Sequence, residues 1–295
     1  MLATRMARLL GIDSVLRDHT PGVREFLISC WMGAIGAARS NRFVQRGVVQ
    51  VGRTLGWNAQ RNFLLLGAAR SGTTLLVDYL NCHPRIRCRS EILNPHFEVY
   101  GNPRKMDRNR LRLHVEANFV KRPGIWAGAK ILTYQLDEME VSLGDLLEVL
   151  CRPAVIVLYR QEVIEQFMSL KMAEHTSVWH STKSGRACPI EADLDEFVSF
   201  AEREHRMWKT SVAALAGADV LYLSYEQLAA DPAHSMNKVF EFLELPAVGV
   251  HSVFVKLNPQ PLAERLANYQ TFAGAGLLAS TQLELPRCSA ASHAA

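Results

Sequence analysis

The residues best placed for chemistry lie in "GAARSGTT", residues 67–74. Gly67 and Gly72 have the spacing of a phosphate-cradling loop, G-x-x-x-x-G-K-[ST]. In such loops backbone N–H groups hold the phosphates, the lysine neutralises the outer ones, and the hydroxyl binds magnesium. Thr74 fills the hydroxyl position, but Thr73 replaces the lysine, and the nearby cation is Arg70 within the loop. Backbone amides and the start of a following helix still favour an anion. Glycines that only permit a tight strand-to-helix turn are the alternative reading. "RSGTT" weighs against it, because it sets a guanidinium and the hydroxyls of Ser71, Thr73 and Thr74 on one turn.

Alternating β-rich runs and helical patterns must position this loop. "NFLLLG" (62–67) reads as a strand, followed by a helix from Gly72 to about Cys82. "IWAGAKIL" (125–132) is a second strand, followed by the helix "SLGDLLEVLC". "PAVIVLY" (153–159) is a near-continuous apolar run, as expected of a strand buried on both faces, and it feeds the helix "EVIEQFMSLKMAEH". A long helix over about 193–216, the strand "VLYLSY" (220–225) and the helix "HSMNKVFEFLEL" complete the series. This order predicts an α/β fold of three layers, with a mostly parallel central sheet and helices on both faces. Ligands of such sheets collect at the carboxyl ends of strands, here residues 67–74, 159–161 and 224–226. The expected organisation is a basic helical extension over 1–61, one α/β domain over 62–285, and a tail over 286–295.

Composition narrows the function classes. A chain of 295 residues, 48% hydrophobic and 21% charged, can bury a sizeable core. The net charge of +4 suits an anionic ligand but is too small to argue for nucleic acid. The six cysteines form no CxxC pair, so a reduced cytoplasm is the natural setting. No apolar run reaches the roughly 18–20 residues of a membrane span; Phe26 to Ala38 is too short and reads as a buried helix. Residues 1–61 carry nine arginines against Asp13, Asp18 and Glu25, which allows a solvated basic face or weak contact with an anionic membrane surface. The cluster "RKMDRNRLR" (104–112) reads as a solvated helix face, with contact to an anionic acceptor as the alternative. His175, His180 and Glu174 lack a zinc spacing, and no metal site is expected.

The loop resembles the 5′-phosphosulfate loop of sulfotransferases that use 3′-phosphoadenosine 5′-phosphosulfate (PAPS), in which a basic residue followed by S-G-T/S-T opens the helix after the first strand. In that family a transferred sulfuryl group carries less charge than a γ-phosphoryl and needs no bridging magnesium. The resemblance implies that Arg70, Ser71, Gly72, Thr73 and Thr74 hold the 5′ end of PAPS. "SEILNP" (90–95) is similar to an acidic segment of the bacterial carbohydrate and nodulation-factor members, where a glutamate is the proposed base, and Glu91 matches it. "VIVLYRQEVIEQFMSLKMA" (155–173) resembles the family's 3′-phosphate element, which assigns Arg160 and Ser169 as its readers. Their separation is nine where eight is usual, with Gln161 in the expected place. "LYLSYEQLAADPAHSMNKVFEFLEL" (221–245) resembles the Y-E-x-L…D-P…FL segment and puts Tyr225 near the adenine. "PLAERLANY" (261–269) is similar to a C-terminal segment that closes over the cofactor.

The implied reaction is in-line transfer of a sulfuryl group to a hydroxyl of a carbohydrate or glycoconjugate acceptor, leaving 3′,5′-adenosine bisphosphate (PAP). Glu91 is the expected base and His96 its reserve; Glu91 could instead cap a helix or pair with Arg89. A solvated glutamate titrates near about 4.3, so partial burial is expected to help it. Arg70 counters charge on the phosphosulfate. Lys130 could reach the sulfuryl group or the acceptor, or be a solvated strand end. "WHSTKSGR" (179–186) reads as a lid, an acceptor wall or a surface loop. Three alternatives stay open: a magnesium-dependent small-molecule kinase, a non-catalytic nucleotide-binding relative, and a membrane-surface scaffold built on residues 1–61.

Overall fold

The computed structural model describes residues 61–94, 107–119, 125–179, 188–254 and 259–286. Most of the expected N-terminal extension and tail, His96, residues 104–106 of the basic cluster, and all of "WHSTKSGR" but Trp179 lie outside them. The four strands expected from sequence all form: β1 Asn62–Gly67, β3 Trp126–Leu132, β4 Ala154–Tyr159 and β5 Val220–Ser224. A fifth, β2 Ile86–Arg89, occupies one edge. Its four residues, "IRCR", alternate buried and less buried positions and carry two arginines. So short and charged a run leaves little hydrophobic signal, which suits an edge strand.

The sheet order is β2-β3-β1-β4-β5, and every pairing is parallel. Successive residues of β1 serve opposite layers. Leu64 and Leu66 join one apolar cluster, Phe63 and Leu65 the other, and all four are fully buried. The helix after β1, α1 Thr73–Asn81, packs Leu76 and Leu80 into the second cluster. The helices α2 Arg108–Asn118, α3 Thr133–Glu138 and α4 Leu143–Val149 fill the first through Leu111, Val115, Leu136, Leu143 and Leu146. The helix after β4, α5 Val163–Thr176, also packs there, through Val163, Ile164 and Phe167, with Phe197 and Trp208 of α6 Leu194–Ala214. Adjacent strands β1 and β4 thus send their helices to opposite faces, which opens a crevice at their carboxyl ends.

β5 stops one residue earlier than its apolar run suggests. Ser224 Oγ accepts from Gln227 N at 3.2 Å, and the Gln227 side chain returns a bond to Ser224 N. This capping box starts α7 Tyr225–Ala230 at the tyrosine. Asp231 caps α8 Pro232–Phe242 by accepting from His234 N at 2.9 Å, with proline in the first turn. The remaining helices among the described residues are α9 Leu262–Arg265, α10 Tyr269–Gly274 and α11 Leu277–Ser280. No helix among the described residues is long and apolar enough to cross a membrane. The described cysteines, Cys82, Cys88, Cys151 and Cys188, are free thiols.

One glycine sets the spacing of the central strands. Gly128 of β3 stands opposite Phe63 of β1, and a Cβ there would lie 2.2 Å from the Phe63 ring. Gly128→Ala is expected to cost about 1–3 kcal/mol through overpacking. Denaturant melts check this: Phe63→Leu in the same chain should recover part of the loss. Equal stability of Gly128→Ala and wild type would contradict the contact.

Candidate active site

The loop after β1 is bent by two residues with positive φ, Arg70 at 63° and Gly72 at 85°. Ser71 is fully buried, and its hydroxyl donates to Ala68 O at 2.8 Å, closing the turn from within. The methyl of Thr73 packs toward Gly67, where a Cβ would meet it at 2.3 Å. Both residues, which the resemblance assigns to the ligand, also shape the loop. The first intrahelical bond of α1 runs from Leu76 N to Gly72 O, and no side chain caps the helix. By helix geometry the N–H groups before Leu76 lack intrahelical acceptors, so they supply the anion-binding end. At Gly72 a Cβ would fall 2.5 Å from the Tyr225 ring, so glycine there permits both the positive φ and the close approach.

Across the loop stands the lysine that the loop itself lacks. Lys130, near the carboxyl end of β3, is 2% exposed; it is not a solvated strand end. Its Nζ donates to Thr74 Oγ1 at 3.2 Å and pairs with Glu91 Oε1 at 2.7 Å. Glu91 Oε2 accepts from Asn94 Nδ2 at 2.6 Å and from Gln135 Nε2 at 2.8 Å. Burial alone would raise the Glu91 carboxyl, as the sequence led us to expect. The Lys130 charge and the bonds from Lys130, Asn94 and Gln135 outweigh it and hold the group below the usual carboxylate range.

The other wall comes from β4 and α5. Arg70 Nε donates to Ser169 Oγ at 3.1 Å, and its Nη1 donates to Trp179 O at 2.7 Å. Ser169 thus bonds Arg70, although the sequence pairs it with Arg160. Arg160 Nη1 donates to Arg70 O at 3.4 Å, and its guanidinium lies 4.7 Å from the centre of the Tyr225 ring. Its Nη2 pairs with Glu165 at 3.0 Å, while its buried Nε has no hydrogen-bond partner. Burial first, and the like charge of Arg160 second, lower Arg70 from its ordinary value. Two guanidiniums held this close, with an unused buried donor beside an uncapped helix, fit a phosphate-bearing ligand.

The structure therefore gathers Glu91, Arg70, Ser71, Gly72, Thr73, Thr74, Arg160, Ser169 and Tyr225 around one crevice. The chain reading missed the groups that hold them. Gln166 Nε2 donates to Ala69 O at 2.9 Å and to the buried Glu204 at 3.1 Å, anchoring the loop from behind. Both helices carry several charged residues, so neither the glutamine nor the glutamate gave a distinct signal in the sequence. Asn94 and Gln135 on Glu91 carried none, being ordinary polar residues far apart in sequence.

The description "Sulfotransferase family" belongs to a family model that matches residues 63–140 and 125–248. The chain is 24% identical over 227 residues to nodulation protein H of Rhizobium meliloti, covering 70% of this chain and 87% of that protein. It is 26% identical over 231 residues to the protein-tyrosine sulfotransferase of Drosophila melanogaster, covering 72% of this chain and 44% of that one. A solved sulfotransferase from Alicyclobacillus acidocaldarius shares 16% identity at a TM-score of 0.45, over 68% of this chain and 87% of its own. That superposition adds no weight to the strand order described above.

The Lys130–Glu91 pair makes a pH prediction with a definite sign. The folded carboxyl takes its proton less readily than the unfolded one. Glu91 therefore adds stability above about pH 4.3, lost as pH falls through its lowered native value. Lys130→Met leaves a buried, uncompensated carboxylate and is expected to cost about 3–5 kcal/mol at pH 7. That cost should shrink on acidification, as Glu91 becomes neutral. Denaturant melts at pH 7 and pH 4 measure both; a cost independent of pH would contradict the pairing.

Proposed function

Since the chain belongs to the sulfotransferase family, we propose that it transfers a sulfuryl group from PAPS to a hydroxyl of a carbohydrate or glycoconjugate. The observation that carries this reading is the pairing of Lys130 with both Thr74 and Glu91, at 3.2 and 2.7 Å. It links the anion-binding end of α1 directly to a carboxylate able to act as base. PAPS supplies an activated sulfuryl group whose departure leaves a phosphate. Arg70 and the first amides of α1 hold its 5′ side, where preorganised donors stabilise the charge that develops on the leaving oxygen. Arg160 meets the 3′-phosphate through its guanidinium, and Tyr225, which lies against both Arg160 and Gly72, flanks the nucleoside. Ser169 fixes the Arg70 guanidinium.

Glu91 takes the acceptor proton as the new S–O bond forms. Three donors hold it in the free protein, a poor state for a base. As Lys130 turns from Glu91 toward charge at the loop, the burial that remains raises the carboxylate's affinity for a proton. His96 stays in reserve as the second candidate base. The carbohydrate reading is supported by the likeness of the Glu91 segment to the bacterial carbohydrate members. Protein tyrosine is the competing acceptor, given the likeness to the Drosophila enzyme.

Thermal stabilisation and transfer are the tests. PAP should stabilise the protein more than ADP or AMP does. PAPS should then sulfate oligosaccharide acceptors in preference to tyrosine peptides, without added magnesium. Equal stabilisation by the three nucleotides would overturn the 3′-phosphate assignment. Magnesium-dependent phosphoryl transfer from ATP would overturn the function.

A further inference from the structure

A buried ion cluster ties the C-terminal segment to Arg160. Glu165 of α5 offers one carboxylate oxygen to Arg160 Nη2, at 3.0 Å, and the other to Arg265 Nη2 of α9. Arg160 and Arg265 are 6% and 2% exposed. Arg265 is itself fixed: its Nε donates to Gln260 O at 2.8 Å, and its carbonyl accepts from Ile190 N at 3.0 Å. Ala267 N returns a bond to Ile190 O at 2.9 Å, so the arginine enters on a short bridged stretch of backbone.

The charges explain why a second arginine is there. Arg160 Nε also lies 4.0 Å from Glu226, whose carboxylate accepts from Gln161 N and Glu162 N. Glu165 and Glu226 acting on Arg160 alone would offset its charge and repel an arriving phosphate. Arg265 shares Glu165, which leaves the Arg160 side of the cluster with less negative charge to present. Sharing one carboxylate also fixes the tilt of the Arg160 guanidinium over Tyr225, with Nε making no hydrogen bond to the protein.

We propose that Arg265 is a positioning residue for donor recognition. Through Glu165 it keeps Arg160 oriented and its charge available to an anion, so that the C-terminal segment sets nucleotide selectivity without touching the nucleotide. This role rests on the reading of Arg160 as the contact for the 3′-phosphate.

Calorimetric binding of PAP and AMP to wild type, Glu165→Gln, Arg265→Met and the double variant tests it, with circular dichroism confirming folding. Arg265→Met should weaken PAP by about tenfold or more, the scale of coupling between contacting charges, and leave AMP unmoved. The double variant should regain most of that affinity, because it removes the uncompensated carboxylate together with the arginine. Glu165→Gln, whose amide oxygen still accepts from Arg160 Nη2 and so keeps its tilt while removing the negative charge, should bind PAP at least as tightly as wild type, which keeps the role testable if Arg265→Met does not fold. A double variant as weak as Arg265→Met, or weaker PAP binding by Glu165→Gln, would show a packing role and overturn the proposal. Wild type that binds PAP no better than AMP would overturn the reading of Arg160 and this role with it. A wild-type preference that survives Arg265→Met would overturn this role alone.

Discussion

A buried ammonium between a hydroxyl and a carboxylate is the contact on which the site depends. Lys130 Nζ reaches Thr74 Oγ1 and Glu91 Oε1, and the lysine is 2% exposed. A lone ammonium so placed would be costly to bury. Glu91 supplies the opposite charge beside it, and Lys130 in turn holds Glu91 ionised against its own burial. The parallel pairing of β1 with β3 makes this geometry possible, because it sets Lys130 beside Leu65 and aims its chain toward the first turn of α1. The loop therefore needs no lysine of its own: the adjacent strand brings one.

The opposite wall follows a different rule. Arg70 and Arg160 are crowded together, and each is held by protein acceptors: Ser169 and Trp179 O for the first, Glu165 for the second. Burial first, and then their mutual repulsion, lower Arg70 and make an anion between them favourable. A magnesium triphosphate site solves its charge problem with a metal and a strand-end carboxylate. Here the acidic residue after β5, Glu226, accepts from Gln161 N and Glu162 N, which is loop support. That arrangement separates the sulfotransferase reading from a kinase.

Sheet and loop were legible in the chain because their signals are local. Four strands are near-continuous apolar runs, and "GAARSGTT" declares its turn by glycine spacing. β2 escaped because an edge strand of four residues with two arginines leaves no apolar run to read. Glu91, Arg70, Arg160 and Tyr225, read from separate segments, lie around one crevice, but the groups that hold them were not legible. Ser169, on the helix after Arg160, was assigned with it to the 3′-phosphate, and the fold bonds it to Arg70, 99 residues away in the chain. Expected burial around Glu91 is present, yet Lys130, Asn94 and Gln135 reverse its effect. Such pairings depend on which elements meet, and periodicity does not encode that.

The central claim is that a lysine from β3 does the work of the missing loop lysine. Turnover of Lys130→Met with radiolabelled PAPS, set against its affinity for PAP, tests that most directly. Below the variant's melting temperature, turnover should fall by about 10²–10³, the usual loss when one preorganised charge is removed from an active site. PAP affinity should fall far less, since Arg70 and Arg160 remain. Undiminished turnover in a folded Lys130→Met protein would contradict the claim.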